Sequence, residues 1–188
     1  MKKNISDPIM LCVALLSLLV HKNTLAQNKP HFHSHVHGVS ELTIAIEEKS
    51  LEIEIKYPAM DVLGFEHKVK TVKDKEIAEN VKIILNQHGD LFSFTNSECL
   101  LKDKQLDMSS IDNIKNTEHE EHNSEEIKHH EVIASYYYHC QEAPTLSTIT
   151  INVFDHFSAI HQINTRWLTE EQQGSIILSP TNRVIKLR

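Results

Sequence analysis

The sequence predicts an α+β fold, a mostly antiparallel β-sheet with one main helix and a His/Glu-rich disordered loop. Apolar and polar residues alternate from 39 to 57, which is the period of a half-buried strand. Apolar residues between 71 and 89 recur at helical spacing. The stretch 109–131 has no aromatic residue and only three large apolar ones, a composition typical of a mobile loop.

Residues 1–26 have the layout of a secretory signal peptide. Lys2 and Lys3 precede an apolar run of twelve residues, Ile9–Val20, and Ala26 is a small residue at the expected cleavage point. A membrane-spanning helix needs about 20 apolar residues, so this run is too short to span a bilayer. The alternative is a buried N-terminal helix. We expect the mature protein to be a single α+β domain over 27–188 that does not span the membrane.

Four histidines alternate directly after the expected cleavage point, at His31, His33, His35 and His37. In an extended chain all four imidazoles point to one side, but the first and the last are about 20 Å apart. Zn–N bonds are only about 2.0–2.1 Å long, so one straight strand cannot wrap all four around one ion. Either the segment bends, or pairs of histidines bind different ions with ligands from elsewhere. A solvated polar tail is the alternative.

The alternating residues that follow predict a β-hairpin. Apolar residues stand at 42, 44 and 46 and again at 51, 53, 55 and 57, with Glu48-Lys49-Ser50 as the turn. Pro58 ends the second strand. In the next block, PAMDVLGFEH (58–67), Glu66 and His67 follow a tight apolar turn and are candidates for the ligands missing from the N-terminal group. For His67 a surface histidine is the alternative.

Thr71 and Asp74 predict the start of the main helix, as a weaker version of the capping box. Gly89 suits the position just after its end, where a protonated His88 would be favoured by the helix dipole. Short strands are expected over 91–94, 99–108, 132–140, 149–154 (extended or turning into a short helix), 163–168, 175–178 and 184–187. His88, His139, His156 and His161 have no spacing argument and are expected to be structural.

The mobile loop predicted over 109–131 carries a second group of candidate metal ligands. These are His119, His122, His129 and His130, which stand among glutamates. Neutral imidazole and carboxylate bind Zn²⁺ and similar borderline ions. A mobile acidic loop suits weak, fast and multiple binding, and an acidic linker with incidental histidines is the alternative.

Cys99 and Cys140 remain once the signal peptide, which carries Cys12, is removed. In an exported chain this pair predicts a disulfide between the strands that flank the loop. Two metal-binding thiolates are the alternative, although the chain has no CxxC motif.

Composition excludes several classes of function. Asp and Glu number 26 against 19 Lys and Arg, so the formal net charge is −7 and no basic surface for nucleic acid is expected. The chain has only 4 Gly in 188 residues and neither a GxGxxG nor a GxxxxGK[ST] phosphate loop. It also lacks HExxH and GxSxG, so we do not expect an enzyme. The 14 His instead favour a metal-binding protein.

Several of these motifs together resemble the ZrgA family of zinc-regulated bacterial periplasmic proteins. They are the HxHxHxHG segment, the PAMDVLGFEH block, the His/acidic loop, a YxYxC strand ending at Cys140 and an LSP turn at 178–180. The resemblance covers nearly all of the mature chain. It implies a periplasmic zinc-binding protein that assists zinc uptake beside an ABC-type importer or its binding protein.

Carried over residue by residue, the resemblance supports His31, His33, His35, His37, Glu66 and His67 as ligands and Cys99–Cys140 as a disulfide. Family members often have a long loop of near-continuous His and Asp, whereas this loop has only four His. That difference favours the N-terminal group as the main site.

The leading hypothesis is therefore a periplasmic protein that scavenges one or more Zn²⁺ and passes them on. Imidazole also serves Cu²⁺ and Ni²⁺, so the sequence does not choose between these metals. The alternative is a secreted envelope interaction module or a general metal buffer without a dedicated zinc role. A metallohydrolase would need a general base, for which Glu66 is the candidate.

Overall fold

The predicted hairpin lies at the centre of a larger sheet. The computed structural model describes residues 36–112, 130–141 and 145–187. The strands in these ranges are β1 (Val39–Glu47), β2 (Ser50–Pro58), β3 (Phe92–Thr95), β4 (Cys99–Asp107), β5 (Glu131–Cys140), β6 (Thr148–Ile151), β7 (Gln162–Leu168), β8 (Gln173–Leu178) and β9 (Val184–Lys186). The helices are α1 (Ala59–Leu63), α2 (Val72–Asn86) and α3 (His88–Leu91), with a 3-10 helix at Val153–Asp155.

Six strands form the large sheet, in the order β4-β5-β2-β1-β7-β8. Neighbouring strands are antiparallel except β1 and β7, which run parallel. The other three strands form a separate antiparallel sheet in the order β3-β6-β9. The predicted α+β class with a mostly antiparallel sheet and one main helix is confirmed. The parallel pair and the second sheet join segments far apart in sequence, and local periodicity did not predict them.

One face of the large sheet is buried and the opposite face is largely open to water. Ile44, Ile53 and Tyr136 are aligned across β1, β2 and β5 and are buried. Helix α2 covers this face where the Tyr136 hydroxyl donates to the Leu85 carbonyl at 2.8 Å. The small sheet covers it where Phe92 packs on Tyr136, with ring centroids 5.1 Å apart. A core on one face explains the strict alternation along the hairpin.

The start of α2 is as predicted, but its end is not. The Thr71 hydroxyl accepts from the Asp74 N–H at 3.1 Å, and the Asp74 carboxylate accepts from the Thr71 N–H at 2.9 Å, which completes the capping box. Helix α2 ends at Asn86, so the end predicted at Gly89 is wrong, since Gly89 lies inside α3. His88 begins α3 and is partly buried, and burial followed by the charge of Lys104 lowers its pKa. A protonated His88 is therefore disfavoured, contrary to the expectation.

The loop predicted over 109–131 is shorter at both ends. Residues 109–112 form a turn in which Ile111 is fully buried and its carbonyl accepts from the Val69 N–H at 2.9 Å. The Lys68 ammonium donates to the carbonyls of Ser109 and Asp112, each at 3.2 Å. At the other end, residue 131 is already the first residue of β5. Composition did not predict this because a single buried isoleucine produces no hydrophobic period. The rest of the predicted loop, 113–129, lies outside the described residues.

The predicted Cys99–Cys140 disulfide is present. The two cysteines are directly opposite each other in the register of β4 and β5, with Cα atoms 3.9 Å apart. The alternative of two metal-binding thiolates is therefore wrong. The bond lies where β4 begins and β5 ends, and the predicted loop connects the other ends of these strands.

The predicted signal peptide, 1–26, lies outside the described residues. Within the ranges that the structure describes, no helix is both long enough and apolar enough to cross a membrane.

Candidate metal centre

Three segments distant in sequence meet at one end of the large sheet. His37 and Gly38 immediately precede β1, helix α1 directly follows β2, and His161 immediately precedes β7. The parallel pairing of β1 with β7, which sets Val39 opposite Gln162, brings the first and third segments together. We call this region the Gly38 end. The opposite end, with the disulfide, is the Cys140 end.

Gly38 is held by hydrogen bonds from both sides. Its N–H donates to the Asp61 carboxylate at 2.7 Å, and its carbonyl accepts from the N–H groups of His161 and Gln162 at 3.0 and 3.1 Å. Its φ of 79° is in the left-handed region, which favours glycine. A Cβ atom at this position would also lie 2.0 Å from Nδ1 and Cε1 of the His161 ring. Glycine is therefore favoured here by conformation, and a side chain at this position would have to displace the His161 ring.

Asp61 is a buried carboxylate within the otherwise apolar α1, with 7% of its surface exposed. Burial raises its pKa, and the negative charge of Glu66 adds to this effect. The Gly38 N–H, His37 and His161 act in the opposite direction and favour the charged carboxylate. Asp61 thus interacts electrostatically with His37, Glu66 and His161 around Gly38.

His37 and Glu66 lie beside each other at the Gly38 end. The distance from His37 Nδ1 to Glu66 Oε1 is 3.8 Å, and the two side chains are 62% and 29% exposed. The sequence predicted Glu66 as a ligand that completes the N-terminal group, and the structure places it beside His37, the one member of that group among the described residues. Because both side chains reach solvent, an ion can approach them directly. Their role as ligands stays a prediction.

The His67 side chain has different neighbours from the Glu66 side chain. Its ring stacks on Phe65, with centroids 4.7 Å apart, and its Nδ1–H donates to the Lys68 carbonyl at 2.9 Å. Its positive form interacts with Asp74 at the start of α2. The contacts of His67 are thus with the segment leading into the main helix. Its other ring nitrogen, Nε2, is the atom left for the predicted metal binding.

His130 lies at the start of β5, and its carbonyl accepts from the Ala59 N–H at 2.8 Å. Since Ala59 begins α1, this bond ties the end of the predicted loop to the Gly38 end. The remaining predicted ligands lie outside the described residues: His31, His33, His35, His119, His122 and His129. Within the described ranges, no group of three or more His, Cys, Asp or Glu side chains is arranged to hold a metal ion.

Sequence reasoning missed Asp61 and His161. A carboxylate inside the apolar stretch PAMDVLG was a usable signal, because a buried charge needs hydrogen-bond partners. Gly38, directly after the last alternating histidine, also indicated a sharp change of direction. For His161 there was no local signal, because its neighbours in space, His37 and Gly38, are far from it in the sequence.

The fold and this site define a disulfide-bonded α+β protein that gathers imidazole and carboxylate groups at one end of a sheet. The disulfide fits an extracytoplasmic protein. The profile of the ZrgA family zinc uptake proteins matches residues 34–187. The chain belongs to this family and is a zinc uptake-related protein. A comparison with curated proteins found no significant match.

Proposed function

We propose that this protein binds zinc in the periplasm, scavenges it there and assists its uptake beside an ABC-type importer or its binding protein. The observation that carries the proposal is the His37–Glu66 pair, which stands on a backbone fixed at Gly38. Membership of a zinc uptake family and the disulfide support it. The protein binds and passes on the ion and catalyses no reaction in this proposal.

The chemistry of the pair suits Zn²⁺ as the cargo. Imidazole nitrogen and carboxylate oxygen bind zinc at about 2.0–2.2 Å, and a structural or transport site needs three or four such donors. His37 and Glu66 supply two, and His35, His33 and His31 precede His37 in the chain at alternate positions. His67 and the loop histidines His119, His122, His129 and His130 form a secondary reserve. Cu²⁺ and Ni²⁺ bind the same donors, so metal identity is part of the test.

The direct test is the metal content of the untagged protein, purified from the periplasm and measured by mass spectrometry. We expect stoichiometric zinc in the full mature chain and its loss when residues 31–37 are deleted. Zinc in neither protein would contradict the proposal and favour an interaction module, whereas copper or nickel in place of zinc would contradict the cargo.

A second experiment separates the two groups of histidines. We expect the double change His33→Ala with His35→Ala to weaken zinc binding more than deletion of 117–129. The deletion ends before His130 because that residue contacts α1 and lies at the base of β5. Equal zinc affinity in the double variant and the parent would exclude a primary N-terminal site.

The role in uptake is tested in cells. A strain without this protein should grow more slowly in medium depleted of zinc by a chelator, and the parent gene should restore growth. The gene that carries His33→Ala and His35→Ala should not restore growth. Restoration by both genes would show that uptake does not depend on this site.

A further inference from the structure

We propose that His161 is a ligand of the same zinc ion as His37 and Glu66, and that Asp61 positions this set through Gly38. The inference rests on the zinc binding proposed above and names one ligand, His161, that the sequence did not predict. It assigns the primary ion to a site built from the starts of β1 and β7 and the segment after α1, rather than to the alternating histidines alone.

The position of the His161 ring supports its assignment as a ligand. Nδ1 and Cε1 of this ring occupy the space where a side chain on residue 38 would be, so the imidazole lies directly beside the residue that follows His37. The backbone N–H of His161 is bonded to the Gly38 carbonyl at 3.0 Å. Both connections hold His161 next to the His37–Gly38 backbone, while its side chain stays exposed to solvent. An exposed imidazole can change rotamer to meet an ion without disturbing the core.

The acidic groups at the Gly38 end also favour the binding of a cation. Asp61 interacts electrostatically with His37, His161 and Glu66, and the Glu66 carboxylate lies 3.8 Å from His37. A divalent cation between the imidazoles and the carboxylates would offset the repulsion between these two acids. The deep burial of Asp61 strengthens the effect, because a charge in a poorly solvated place interacts more strongly with its neighbours.

The distance between the His37 and Glu66 donor atoms is close to that between two ligands of one zinc ion. Two donor atoms bound to one tetrahedral zinc at about 2.0–2.1 Å stand roughly 3.3 Å apart. The His37 Nδ1 and Glu66 Oε1 atoms are 3.8 Å apart, so they need to approach by only about half an ångström to share an ion. The His161 ring, which lies beside Gly38, is the third donor in this proposal. Among the described residues no complete site is preformed, so binding in this proposal requires these side chains to move.

The proposed donor set also suits a protein that must give its ion away. Two imidazoles and one carboxylate leave the fourth position of zinc open to an exchangeable donor, such as one of the alternating histidines that precede His37, whereas closed sites with four fixed protein ligands are structural. An acceptor protein could bind the ion through the open position before the ion leaves.

Asp61 is a positioning residue in this proposal. Its carboxylate accepts from the Gly38 N–H at 2.7 Å and so fixes the peptide that joins His37 to Gly38. In Asp61→Asn an amide oxygen can still accept this bond, whereas in Asp61→Ala the N–H loses its partner. We therefore expect Asp61→Ala, which loses both the charge and the hydrogen bond, to weaken zinc binding more than Asp61→Asn, which loses only the charge. Equal loss in both variants would overturn the positioning role.

The decisive experiment compares His161→Ala with His139→Ala in the full mature chain. Both histidines are exposed, but His139 lies on β5 near the Cys140 end, which makes it a matched control. Zinc affinity is measured by titration against a competing chelator, and the number of bound imidazoles by X-ray absorption at the zinc edge. We expect His161→Ala to lose at least tenfold in affinity and one imidazole, and His139→Ala to match the parent.

The outcomes distinguish this inference from the proposed function. If the parent binds no zinc, the proposed function fails. If the parent binds zinc and His161→Ala keeps its affinity and imidazole count, only the inference is overturned. Circular dichroism and thermal unfolding check that each variant is folded, and His161→Gln serves as a second variant in case alanine disturbs packing against Gly38.

Discussion

The two ends of the large sheet are held in different ways. At the Cys140 end a covalent bond joins β4 to β5 at directly opposite residues. At the Gly38 end the connections are hydrogen bonds, from the Gly38 N–H to Asp61 and from His161 and Gln162 to the Gly38 carbonyl. The candidate ligands His37 and Glu66 stand only at the second end.

This difference suggests that the Cys140 end contributes mainly to stability and the Gly38 end to metal binding. A disulfide resists unfolding whatever the state of the metal, and its distance from the ligands leaves them free of thiol chemistry. Hydrogen-bonded backbone and exposed side chains can adjust by fractions of an ångström when an ion arrives or leaves. Variants at the two ends should therefore change different properties.

The largest effect is expected from removing the disulfide. Cys99 and Cys140 are 41 residues apart, and closing a loop of that size lowers the free energy of the folded state relative to the unfolded by about 4 kcal/mol in the chain-entropy model. Changing both to serine should lower the unfolding free energy in urea by that order and leave the zinc affinity of the folded protein unchanged. A parallel loss of zinc affinity would show that the two ends are coupled.

The next largest effect concerns pH and zinc. Neutral imidazole is the ligand, and histidine has an ordinary pKa of about 6.5, so protons compete with the metal below that value. Between pH 7.5 and 5.5 the neutral fraction falls about tenfold per imidazole, which predicts roughly a hundredfold loss of zinc affinity for a site with two. Titration at both pH values measures it, and equal affinities would exclude histidine as the main ligand.

Two glycines provide the third test. Gly38 and Gly64 have φ values of 79° and 78°, so alanine at either position has a conformational cost of roughly 1–2 kcal/mol. Only at Gly38 would the new Cβ also meet the His161 ring, at 2.0 Å, while nothing lies within 4 Å at Gly64. Gly38→Ala should therefore lower both the unfolding free energy and the zinc affinity more than Gly64→Ala does. Similar zinc affinities in the two variants would separate Gly38 from the binding site.

The smallest effect distinguishes two buried tyrosines on the core face. The Tyr136 hydroxyl donates to the Leu85 carbonyl at 2.8 Å, whereas the Tyr57 hydroxyl, nearer the Gly38 end, has no hydrogen-bond partner within the described part of the chain. Tyr136→Phe should lower the unfolding free energy by about 1 kcal/mol, because it leaves a carbonyl without its donor. Tyr57→Phe should be neutral or slightly stabilising in the same urea titration. A loss at Tyr57 as large as that at Tyr136 would contradict this account of the core.

The sequence by itself determined the local features of this protein. Strict alternation predicted the hairpin and its buried face, and Thr71 and Asp74 predicted the start of the main helix. The expectation that the chain is exported predicted the pairing of Cys99 with Cys140. These predictions succeeded because each depends on residues near one another in the chain, or on a pair with no rival partner. The predicted end of the main helix was wrong. Glycine is common just after a helix end, but Gly89 lies inside the next helix, α3.

Only the tertiary structure decided which residues surround Gly38. The sequence predicted Glu66 and His67 together as ligands for the N-terminal group. It did not predict that Asp61 and His161 lie in the same region. The parallel pairing of β1 with β7 sets His161 beside Gly38, and packing turns His67 toward Phe65 and the start of α2. The physical reason is that a strand pairing across more than a hundred residues depends on the whole core, and no periodicity within one segment records it.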